Sequence, residues 1–593
     1  MLGNRAKVRL DRGDVAGAID DYIAALERDP VSADLLFNAA GALAMAGRLE
    51  DAVARLETAC EADPDHARAH ANLGNLLRQL GRNDEAIRVL ERAVEIAPGD
   101  PQVQHSLGVT LMQLRDYEAA AARFRRALDL DKGFVRTAAQ LFYANLHACD
   151  WRDHDKLVAN FTRLLESGRP EVAEVSPLIA LHLPVAQKTL NTASAARART
   201  FRDVPVDSGS LTPATPRGRL RVGYMSADFG RHPVGHLTAD LFRHHDRTKF
   251  DAAGILLAPP DGSDVSERIA ATLDTVLDVS RMSASEAAEQ IRELGVDVLV
   301  DLGGYTRGAR PEILANRAAP LQIGWLGYCG SSGGLNDVLL ADTQLVREAE
   351  TNEFPEAVAR LPGSLMPLNN FDSPGDEPGA RKDHGLPEDA FVYCAFNTPT
   401  KIDPLTFSAW MNILNAVEGS VLWLREHAPL TTRNLQVAAQ SRGIDPRRLV
   451  FAKTVPGMAD HLARHLHADM FLDTFVYGAH STAADAIAMG LPVLTRAGDA
   501  MPARVGASLA HAFDLADAVV DSTDAYVEAA VSLARDRARL TDMSRRLRDA
   551  RRAKGDSAGF VSRLEAAYQQ LWDLAVHGRI APGECVDIET GKA

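Results

Sequence analysis

A 34-residue periodicity over the first 132 residues is the feature that most restricts the fold of this chain. Four positions recur once in every period. Three of them are occupied by glycine or alanine, except at Arg115, and the fourth is occupied by proline, except at Lys132. These positions are Gly13, Gly47, Gly81 and Arg115; Ala18, Ala52, Ala86 and Ala120; Ala25, Ala59, Ala93 and Ala127; and Pro30, Pro64, Pro98 and Lys132. Small residues where two helices touch, a glycine between the helices and a proline after the second one are typical of a helix pair. Such a short unit cannot bury its apolar face alone, so the repeats are predicted to stack into an α-solenoid.

The repeats resemble those of tetratricopeptide proteins, whose superhelix offers an extended concave surface. We predict about four tetratricopeptide repeats over residues 1–132, and a protein acceptor or partner bound by them. A scaffold or oligomerisation role is the alternative for this arm. Helical patterning without the period continues over 133–202, which we interpret as a transition and capping region. Residues 203–218 are rich in turn-forming residues and are predicted to be a linker.

The composition argues against nucleic acid and membranes as main partners. The formal net charge is −15, from 80 acidic and 65 basic residues, and either partner would repel such a chain. The five cysteines are widely spaced and form no CxxC pair, so we expect free thiols in a reducing compartment. We find neither a leader sequence at Met1 nor an apolar run long enough to span a bilayer. These features predict a cytoplasmic protein.

From residue 219 onward, short apolar runs alternate with helical stretches, which is typical of parallel α/β sheets. The first series of predicted strands covers 220–224, 253–257, 296–301, 321–325 and 338–340. After a break at 369–385, the second series covers 391–396, 421–424, 449–452, 470–472, 492–495 and 518–520. We therefore predict two Rossmann-like lobes, at 219–375 and 376–575, followed by a tail at 576–593. Ligands of such sheets bind beyond the carboxyl ends of the strands.

The segment 471–485 of the second lobe carries the strongest chemical signal. An apolar strand passes through a glycine-containing turn into a helix that opens with His480, Ser481 and Thr482. The amide groups of a helix N-terminus, two hydroxyls and an imidazole at one point suit a diphosphate. Lys401 follows the first strand of the same lobe and would neutralise a departing diphosphate without a metal ion. A lysine on a surface loop is the alternative for this residue.

Three further residues are candidates for the site because of their positions relative to neighbouring residues. His461 and Arg464 lie one helical turn apart and can face one ligand, although exposed helix faces often carry such a pair. His232 precedes Pro233, which suits the first turn of a helix. An imidazole there can accept a proton from a hydroxyl nucleophile, or it can simply cap the helix. Every Asp-x-Asp pair falls in the repeats or the helical segment after them, so no metal-bridged diphosphate is predicted.

Ordered motifs along the chain together resemble the O-GlcNAc transferase family, including its SPINDLY group. They are Cys149-Asp-Trp151, Asp228-Phe-Gly-x-His232-Pro, Gly304-Tyr-Thr-x-Gly-Ala-Arg310, Trp325-Leu-Gly-Tyr328, Phe396-Asn with Lys401-Ile-Asp-Pro, His461 with Arg464, Leu472-Asp-Thr with His480-Ser-Thr and Asp485, Gly490-Leu-Pro-Val, and Arg504-Val-Gly-Ala-Ser508. The resemblance implies a GT-B fold for the two lobes. It also implies inverting transfer of a sugar from a nucleotide donor to Ser or Thr hydroxyls of a protein.

The same resemblance implies donor-binding residues for the phosphates, the ribose and the base. They are Lys401 at the leaving diphosphate; His480, Ser481 and Thr482 at the phosphates; Asp485 at the ribose; His461 and Arg464 at the base; and Thr398 in the same donor set. His232 is the implied proton acceptor on the acceptor side, so that His232 and Lys401 form the catalytic pair. No cofactor or metal is expected besides the nucleotide-sugar substrate, which is UDP-GlcNAc by resemblance.

Several positions depart from the animal members of the family, and they cluster near the donor. Thr398 stands where those members have Gln, Met458 where they have Lys, Gly303 replaces Asn, Cys329 replaces Pro and Ser481 replaces Thr. A lost amide or ammonium removes about 1–3 kcal/mol if it is buried and charged. Two alternatives stay open: a flagellin glycosyltransferase with a CMP-nonulosonic acid donor, and a tetratricopeptide adaptor with inactive transferase lobes. A sugar-polymerising enzyme of the same fold suits the repeat arm less well.

Overall fold

The computed structural model of the chain describes residues 2–202, 211, 218–368, 379–455 and 457–589. Two compact units make up the chain, Met1–Ala148 and Cys149–Ala593. The predicted linker at 203–218, apart from residues 211 and 218, lies outside the described residues, as does the predicted lobe boundary at residue 375. None of the described helices is both long and apolar enough to cross a membrane.

The first unit is a row of helices packed pairwise, which confirms the predicted solenoid. Its helices are α1 (Leu2–Asp11), α2 (Val15–Leu26), α3 (Ala33–Met45), α4 (Leu49–Ala62), α5 (Ala67–Gln79), α6 (Asn83–Ile96), α7 (Pro101–Gln113), α8 (Tyr117–Leu130) and α9 (Val135–Ala148). The repeated alanines lie at the helix contacts, and the following four have no exposed surface: Ala18, Ala52, Ala86 and Ala120. Because only a methyl group separates the backbones there, successive helices can approach closely.

The turns between paired helices explain the glycine register. Gly13, Gly47 and Gly81 have φ of 80°, 75° and 77°, which lie in the left-handed region that glycine enters without steric cost. Arg115 occupies the fourth position with φ of 62°. A side chain is disfavoured in this conformation, so the last turn keeps the repeat geometry at a local cost.

The second unit contains two parallel sheets, as predicted. The strands are β1 (Leu220–Ser226), β2 (Phe250–Leu256), β3 (Thr275–Asp278), β4 (Val298–Asp301), β5 (Leu321–Gly324), β6 (Val338–Asp342), β7 (Ala357–Leu361), β8 (Val392–Ala395), β9 (Val421–Arg425), β10 (Leu449–Ala452), β11 (Met470–Leu472), β12 (Val493–Arg496), β13 (Val519–Val520) and β14 (Cys585–Asp587). The first sheet has the order β14-β7-β6-β5-β4-β1-β2-β3, and the second β10-β9-β8-β11-β12-β13. Within each lobe the central order is 3-2-1-4-5-6, the dinucleotide-binding topology.

The helices of the second unit connect and cover these sheets. They are α10 (His154–Glu166), α11 (Pro177–Ala180), α12 (Gln187–Arg202), α13 (Pro233–Thr238), α14 (Asp264–Thr272), α15 (Ala284–Glu293), α16 (Pro311–Ala315), α17 (Pro404–Ala416), α18 (Pro429–Gln440), α19 (Met458–Ala463), α20 (Ser481–Ala488), α21 (Val505–Ala512), α22 (Thr523–Arg535), α23 (Arg537–Lys554) and α24 (Ser557–Val576). A helical array followed by two such parallel sheets confirms the predicted fold class, a solenoid with a GT-B pair of Rossmann-like lobes.

Three strands were not predicted from the sequence. The edge strand β3 has only four residues and alternates between half-buried and exposed positions, so it lacks a continuous apolar run. Strands β7 and β14 each contain a charged residue, and the Arg360 guanidinium bonds both Asp587 carboxylate oxygens at 2.7 and 2.9 Å. This pairing makes part of the 576–593 segment the edge of the first sheet.

The two lobes are joined by polar contacts in addition to the chain itself. Arg504 of the second lobe is 3% exposed and bonds both carboxylate oxygens of Glu350, at 2.6 and 2.9 Å. The hydroxyl of Ser508 donates a hydrogen bond to Asp342 at the end of β6. Because buried charges are costly to leave unpaired, these contacts favour one relative position of the lobes.

Helix α24 follows the second sheet in sequence but packs against the first lobe. The Phe560 ring stacks on Trp325 with centroids 6.0 Å apart. The Glu565 carboxylate lies 3.0 Å from Nδ1 of His245, and the other nitrogen of that ring lies 2.9 Å from the hydroxyl of Tyr224. Helix α24 therefore holds the segment that follows the second sheet against the first lobe.

Candidate functional site

The candidate site lies at the crevice between β8 and β11, where the order of strands in the second sheet reverses. Lys401 follows β8, and His480 follows β11, so the two residues approach the crevice from opposite sides. The Lys401 ammonium donates a 2.7 Å hydrogen bond to the carbonyl of Gly478. It also lies 4.2 Å from the centre of the Tyr477 ring. The structure thus brings the predicted cation against the turn that leads into α20.

Lys401 shares this crevice with Asp473, a carboxylate that the sequence reasoning did not select. Burial lowers the pKa of Lys401 to about 8, and the charge of Asp473 opposes that shift. Burial raises the pKa of Asp473 to about 6. The carboxylate accepts hydrogen bonds from the amides of Thr474 and Ala479 at 2.7 and 2.5 Å, and from the Thr495 hydroxyl at 2.7 Å. Asp473 therefore fixes the shape of the turn.

His480 is the N-cap residue of α20, directly before the first helical turn. Its Nε2 donates a hydrogen bond to the carbonyl of Pro502 at 3.1 Å. Burial, together with the positive charge of Lys401, lowers its pKa well below the ordinary value. The ring is thus neutral without a ligand. A bound phosphate would favour protonation of Nδ1, which would then donate a hydrogen bond to that phosphate.

The first turn of α20 presents the two predicted hydroxyls. Ser481 and Thr482 are half-buried, and their amides belong to the first turn, where an α-helix provides no internal acceptor. The Thr482 hydroxyl donates a 2.5 Å hydrogen bond to the side-chain oxygen of Asn397. The Asn397 amide in turn donates to the Thr474 hydroxyl at 3.2 Å. Asn397 was not predicted as a site residue, although it directly follows the aromatic residue that ends the strand run.

His461, Arg464 and Asp485, all predicted, form one connected group. Arg464 donates a hydrogen bond from Nη2 to Nδ1 of His461 at 2.6 Å, which leaves the proton of a neutral ring on Nε2. That Nε2 lies 3.4 Å from the Asp485 carboxylate. The Arg464 guanidinium is buried 5.1 Å from the centre of the Phe396 ring, and burial lowers its pKa to about 10. The α19 region and α20 therefore meet through these three side chains.

Thr398 lies outside these two groups of side chains. Its side chain is exposed, and its hydroxyl lies 3.2 Å from that of Thr400. Among the described residues, no hydrogen bond joins its side chain to Lys401, His480 or Thr482. Its carbonyl accepts a 3.1 Å hydrogen bond from the amide of Lys401.

On the first lobe, His232 has the geometry of a helix cap. Its Nδ1 accepts a 3.3 Å hydrogen bond from the amide of Val234 and also lies 3.5 Å from the Asp228 carboxylate. Burial lowers the pKa of His232, while the negative charge of Asp228 opposes that shift. Burial also raises the pKa of Asp228. A proton-accepting Nε2 requires Nδ1 to carry the proton and donate it toward Asp228 instead of accepting from Val234.

Two first-lobe side chains, His236 and Cys329, lie close enough to charged residues of the second lobe for those charges to affect their pKa. Burial lowers the pKa of His236, and the charge of Asp485 across the cleft opposes this. Burial raises the pKa of the Cys329 thiol, and the charge of Lys401 opposes that rise. His236 lies in α13, four residues after the N-cap residue His232, a spacing that could have identified it. Across the described part of the chain, no three His, Cys, Asp or Glu residues form a group that could hold a metal ion.

Comparison with known proteins gives a consistent result for both units. The family model described as "Glycosyl transferase family 41" matches residues 148–366 and 378–562. Tetratricopeptide-repeat models match residues 4–64, 43–108 and 101–134. A solved structure of a mutant of the Thermobaculum terrenum O-GlcNAc transferase superposes with a TM-score of 0.67 and 27% identity, covering 93% of this chain and 99% of that one.

Two curated relatives have names that state an activity. The "Probable UDP-N-acetylglucosamine--peptide N-acetylglucosaminyltransferase SEC" of Arabidopsis thaliana is 30% identical over 457 residues, covering 73% of this chain and 46% of its own length. The "UDP-N-acetylglucosamine--peptide N-acetylglucosaminyltransferase" of Caenorhabditis elegans is 26% identical over 550 residues, covering 72% of this chain and 48% of its own length. The chain thus spans about half the length of these relatives. Since the family model matches both lobes and well over half of the residues, the chain belongs to glycosyl transferase family 41.

Proposed function

We propose that this protein is an O-glycosyltransferase that transfers GlcNAc from UDP-GlcNAc to Ser or Thr hydroxyls of a protein, with inversion and without a metal ion. Family membership and the names of the relatives support the transferase activity and the donor. The observation that carries the proposal is the position of Lys401, in the crevice between β8 and β11 and next to the turn that opens α20. An ammonium and a helix N-terminus together offer the positive potential that a leaving diphosphate needs.

The chemistry follows from these positions. The acceptor hydroxyl oxygen forms a bond to the anomeric carbon of the sugar, and the bond from that carbon to the diphosphate oxygen breaks. The electron pair of the broken bond stays on the diphosphate, where Lys401 and the first turn of α20 stabilise the added charge. His232 takes the hydroxyl proton on Nε2 when Asp228 holds its Nδ1–H. In this role the His232 ring leaves its capping bond to Val234.

The repeat arm is proposed to bind the protein acceptor. Stacked tetratricopeptide units form a concave surface that suits an extended polypeptide, and the matches to repeat models cover most of the first unit. We propose the cytoplasm as the site of action, because all five cysteines are free thiols.

The second candidate is a flagellin glycosyltransferase that uses a CMP-nonulosonic acid. It is favoured by Thr398 and Met458, which supply neither the amide nor the ammonium of animal family members. Thr398 is exposed, and Met458 begins α19 beside the His461 group. Such a donor carries a single phosphate between the sugar and the nucleoside. Less positive charge is then needed at the crevice.

Calorimetry with UDP, UDP-GlcNAc and CMP tests the choice of donor. We expect binding of both uridine nucleotides and none of CMP, whereas tight binding of CMP without UDP would refute the first proposal. Mass spectrometry of proteins that co-purify with the active chain, with and without added UDP-GlcNAc, then identifies the sugar and the acceptor by mass increment. The adaptor alternative predicts no increment, and no difference between the wild-type chain and the Lys401→Met variant.

A further inference from the structure

Helix α23 is strongly basic, and half of its eight cations pair with carboxylates. Arg545 lies 2.6 Å from the Asp542 carboxylate, and Arg546 lies 2.8 Å from that of Asp517. Lys554 at the end of the helix pairs with a further aspartate at 2.8 Å. Arg537 at the start of the helix lies 2.7 Å from the Asp469 carboxylate, so four of the cations are paired.

Three other arginines of the same helix have no such partner. Arg548, Arg551 and Arg552 are separated by three and four positions, so they lie on one face of α23. Among the described residues, no hydrogen bond or ion pair joins their guanidinium groups to a carboxylate. Like charges at this spacing destabilise a helix, and burial together with the charge of Arg552 lowers the pKa of Arg551. The face is thus positively charged and uncompensated.

This face lines a cleft of about 650 Å³, together with Arg243 and His244 from the first lobe. We call these five side chains the basic cleft. Its lining also holds Asp240, which pairs with Arg243 at 2.5 Å, and Asp556, which accepts the Gly559 amide, so four arginines stand against two carboxylates. The cleft therefore carries excess positive charge in a chain whose formal net charge is −15.

The lining indicates what kind of ligand the cleft would take. The side chains around it are basic, acidic or small, with Ala558 as the apolar contribution and no Phe, Tyr or Trp ring. A nucleotide site needs an apolar or aromatic wall for its base, which this lining does not provide. Spaced guanidinium groups match a row of carboxylates, which they bind through paired hydrogen bonds.

We propose that the basic cleft binds an acidic segment of a partner protein. A short run of Asp and Glu residues meets Arg548, Arg551 and Arg552 in turn and ends within the cleft. A long polyanion such as nucleic acid would extend beyond the cleft onto a surface that is acidic on balance, which would repel it. The site is separate from the crevice at Lys401, and the proposal does not depend on the transferase activity.

Fluorescence anisotropy with the full chain tests the proposal. The probes are a labelled octa-glutamate peptide, an octa-serine peptide of the same length and labelled inorganic polyphosphate. The test variant combines Arg548→Gln, Arg551→Gln and Arg552→Gln. The control variant combines Arg28→Gln, Arg447→Gln and Arg539→Gln, three exposed arginines outside the basic cleft, and changes the net charge equally. Circular dichroism and thermal unfolding show that both variants are folded.

We expect the glutamate peptide to bind the wild type and the control variant, and to bind the test variant on the order of tenfold more weakly. Binding should weaken as salt rises, because the contacts are exposed to solvent. The proposal is overturned if the glutamate peptide does not bind, if both variants lose binding equally, or if the serine peptide binds as well. Preferential binding of polyphosphate would also overturn it, since the ligand would then not be a polypeptide.

Discussion

The two lobes share one strand order but use its reversal point differently. In the first lobe, between β1 and β4, the buried Asp301 carboxylate accepts hydrogen bonds from the amides of Gly303 and Gly304. The Tyr328 side chain fills the remaining space, because a Cβ at Gly304 would lie 2.5 Å from that of Tyr328. In the second lobe, the corresponding crevice holds the partly exposed Lys401.

The difference shows that this strand order creates a crevice but does not by itself make the crevice a binding site. Each lobe places a buried carboxylate at the carboxyl end of its fourth strand, Asp301 as the last residue of β4 and Asp473 directly after β11. In both lobes that carboxylate binds amides of its own turn, at 2.9 Å to Gly303 and 2.5 Å to Ala479. In the second lobe this turn leads into α20, and the Lys401 ammonium bonds the Gly478 carbonyl just before that helix. The first-turn amides of α20, which have no acceptor within the helix, therefore decide which crevice can take a phosphate.

The largest expected effect comes from removing the cation of the second crevice. We expect Lys401→Met to lower kcat for transfer from UDP-GlcNAc by about 10²–10³-fold, since a group that stabilises the developing charge is lost. Transfer rates to an identified acceptor protein provide the measurement. Lys382→Met removes an exposed lysine of the same lobe and is expected to keep the wild-type rate. Equal rates in all three proteins would contradict the role of Lys401.

A pair of glycine substitutions compares the packing of the turn after Asp301 in the first lobe with that of the turn after Asp473 in the second lobe. Gly304 has φ of 55° and a Tyr328 contact at 2.5 Å, so Gly304→Ala should cost about 1–3 kcal/mol in free energy of unfolding. At Gly478 the nearest atom to a Cβ would be the Pro502 carbonyl oxygen at 3.3 Å. Gly478→Ala requires a much smaller shift of its neighbour and should therefore cost less than Gly304→Ala. Urea unfolding followed by circular dichroism measures both changes, and equal losses would show that the turns are packed alike.

The lowered pKa of Lys401 predicts how nucleotide affinity depends on pH. In the free protein Lys401 loses its proton near pH 8, whereas a bound diphosphate favours the charged form. The complex then holds more protons than the free protein, so affinity for UDP should fall as pH rises above 8, by up to about tenfold per unit. Calorimetry between pH 7 and 9.5 measures this slope. Lys401→Met should remove it, and a slope that persists in this variant would assign the proton to another group.

The smallest expected effect tests the first lobe. Asp228 opposes the lowering of the His232 pKa, so Asp228→Asn should lower that pKa further. Because a proton acceptor must be unprotonated, the acidic limb of the kcat/KM profile should move to lower pH in this variant. The loss of rate at pH 7.5 should stay below about 10²-fold, the lower end of what a general base supplies. His232→Asn should remove the limb. An unchanged limb in both variants would leave His232 as a helix cap.

Much of the fold could be predicted because it depends on local pattern. The glycine, alanine and proline registers predicted the helix pairs, and every strand predicted from an apolar run is present. Strands β3, β7 and β14 were missed, since their pairing is stabilised by neighbours distant in sequence, such as Asp587 for Arg360. The packing of α24 on the first lobe could not be predicted either, because its contacts, such as that of Phe560 with Trp325, join segments distant in sequence.

The residues of the candidate site also fall into those that a local sequence pattern predicts and those that it does not. His461 and Arg464 were selected by helical spacing, and His480, Ser481 and Thr482 by the pattern of a strand, a turn and a helix. Asn397 and Asp473 were not selected, because their partners are contributed by other segments of the chain. Exposure of Thr398 also follows from packing that no local pattern encodes.

The sequence by itself determined the repeat arm, the two parallel sheets and the family, because periodicity and short motifs are properties of neighbouring residues. The tertiary structure alone decided which crevice remains open, how far burial shifts the pKa of Lys401, and which arginines of α23 stay unpaired. The physical reason is that desolvation and charge pairing depend on the groups that surround a side chain in space, and long-range folding sets those surroundings.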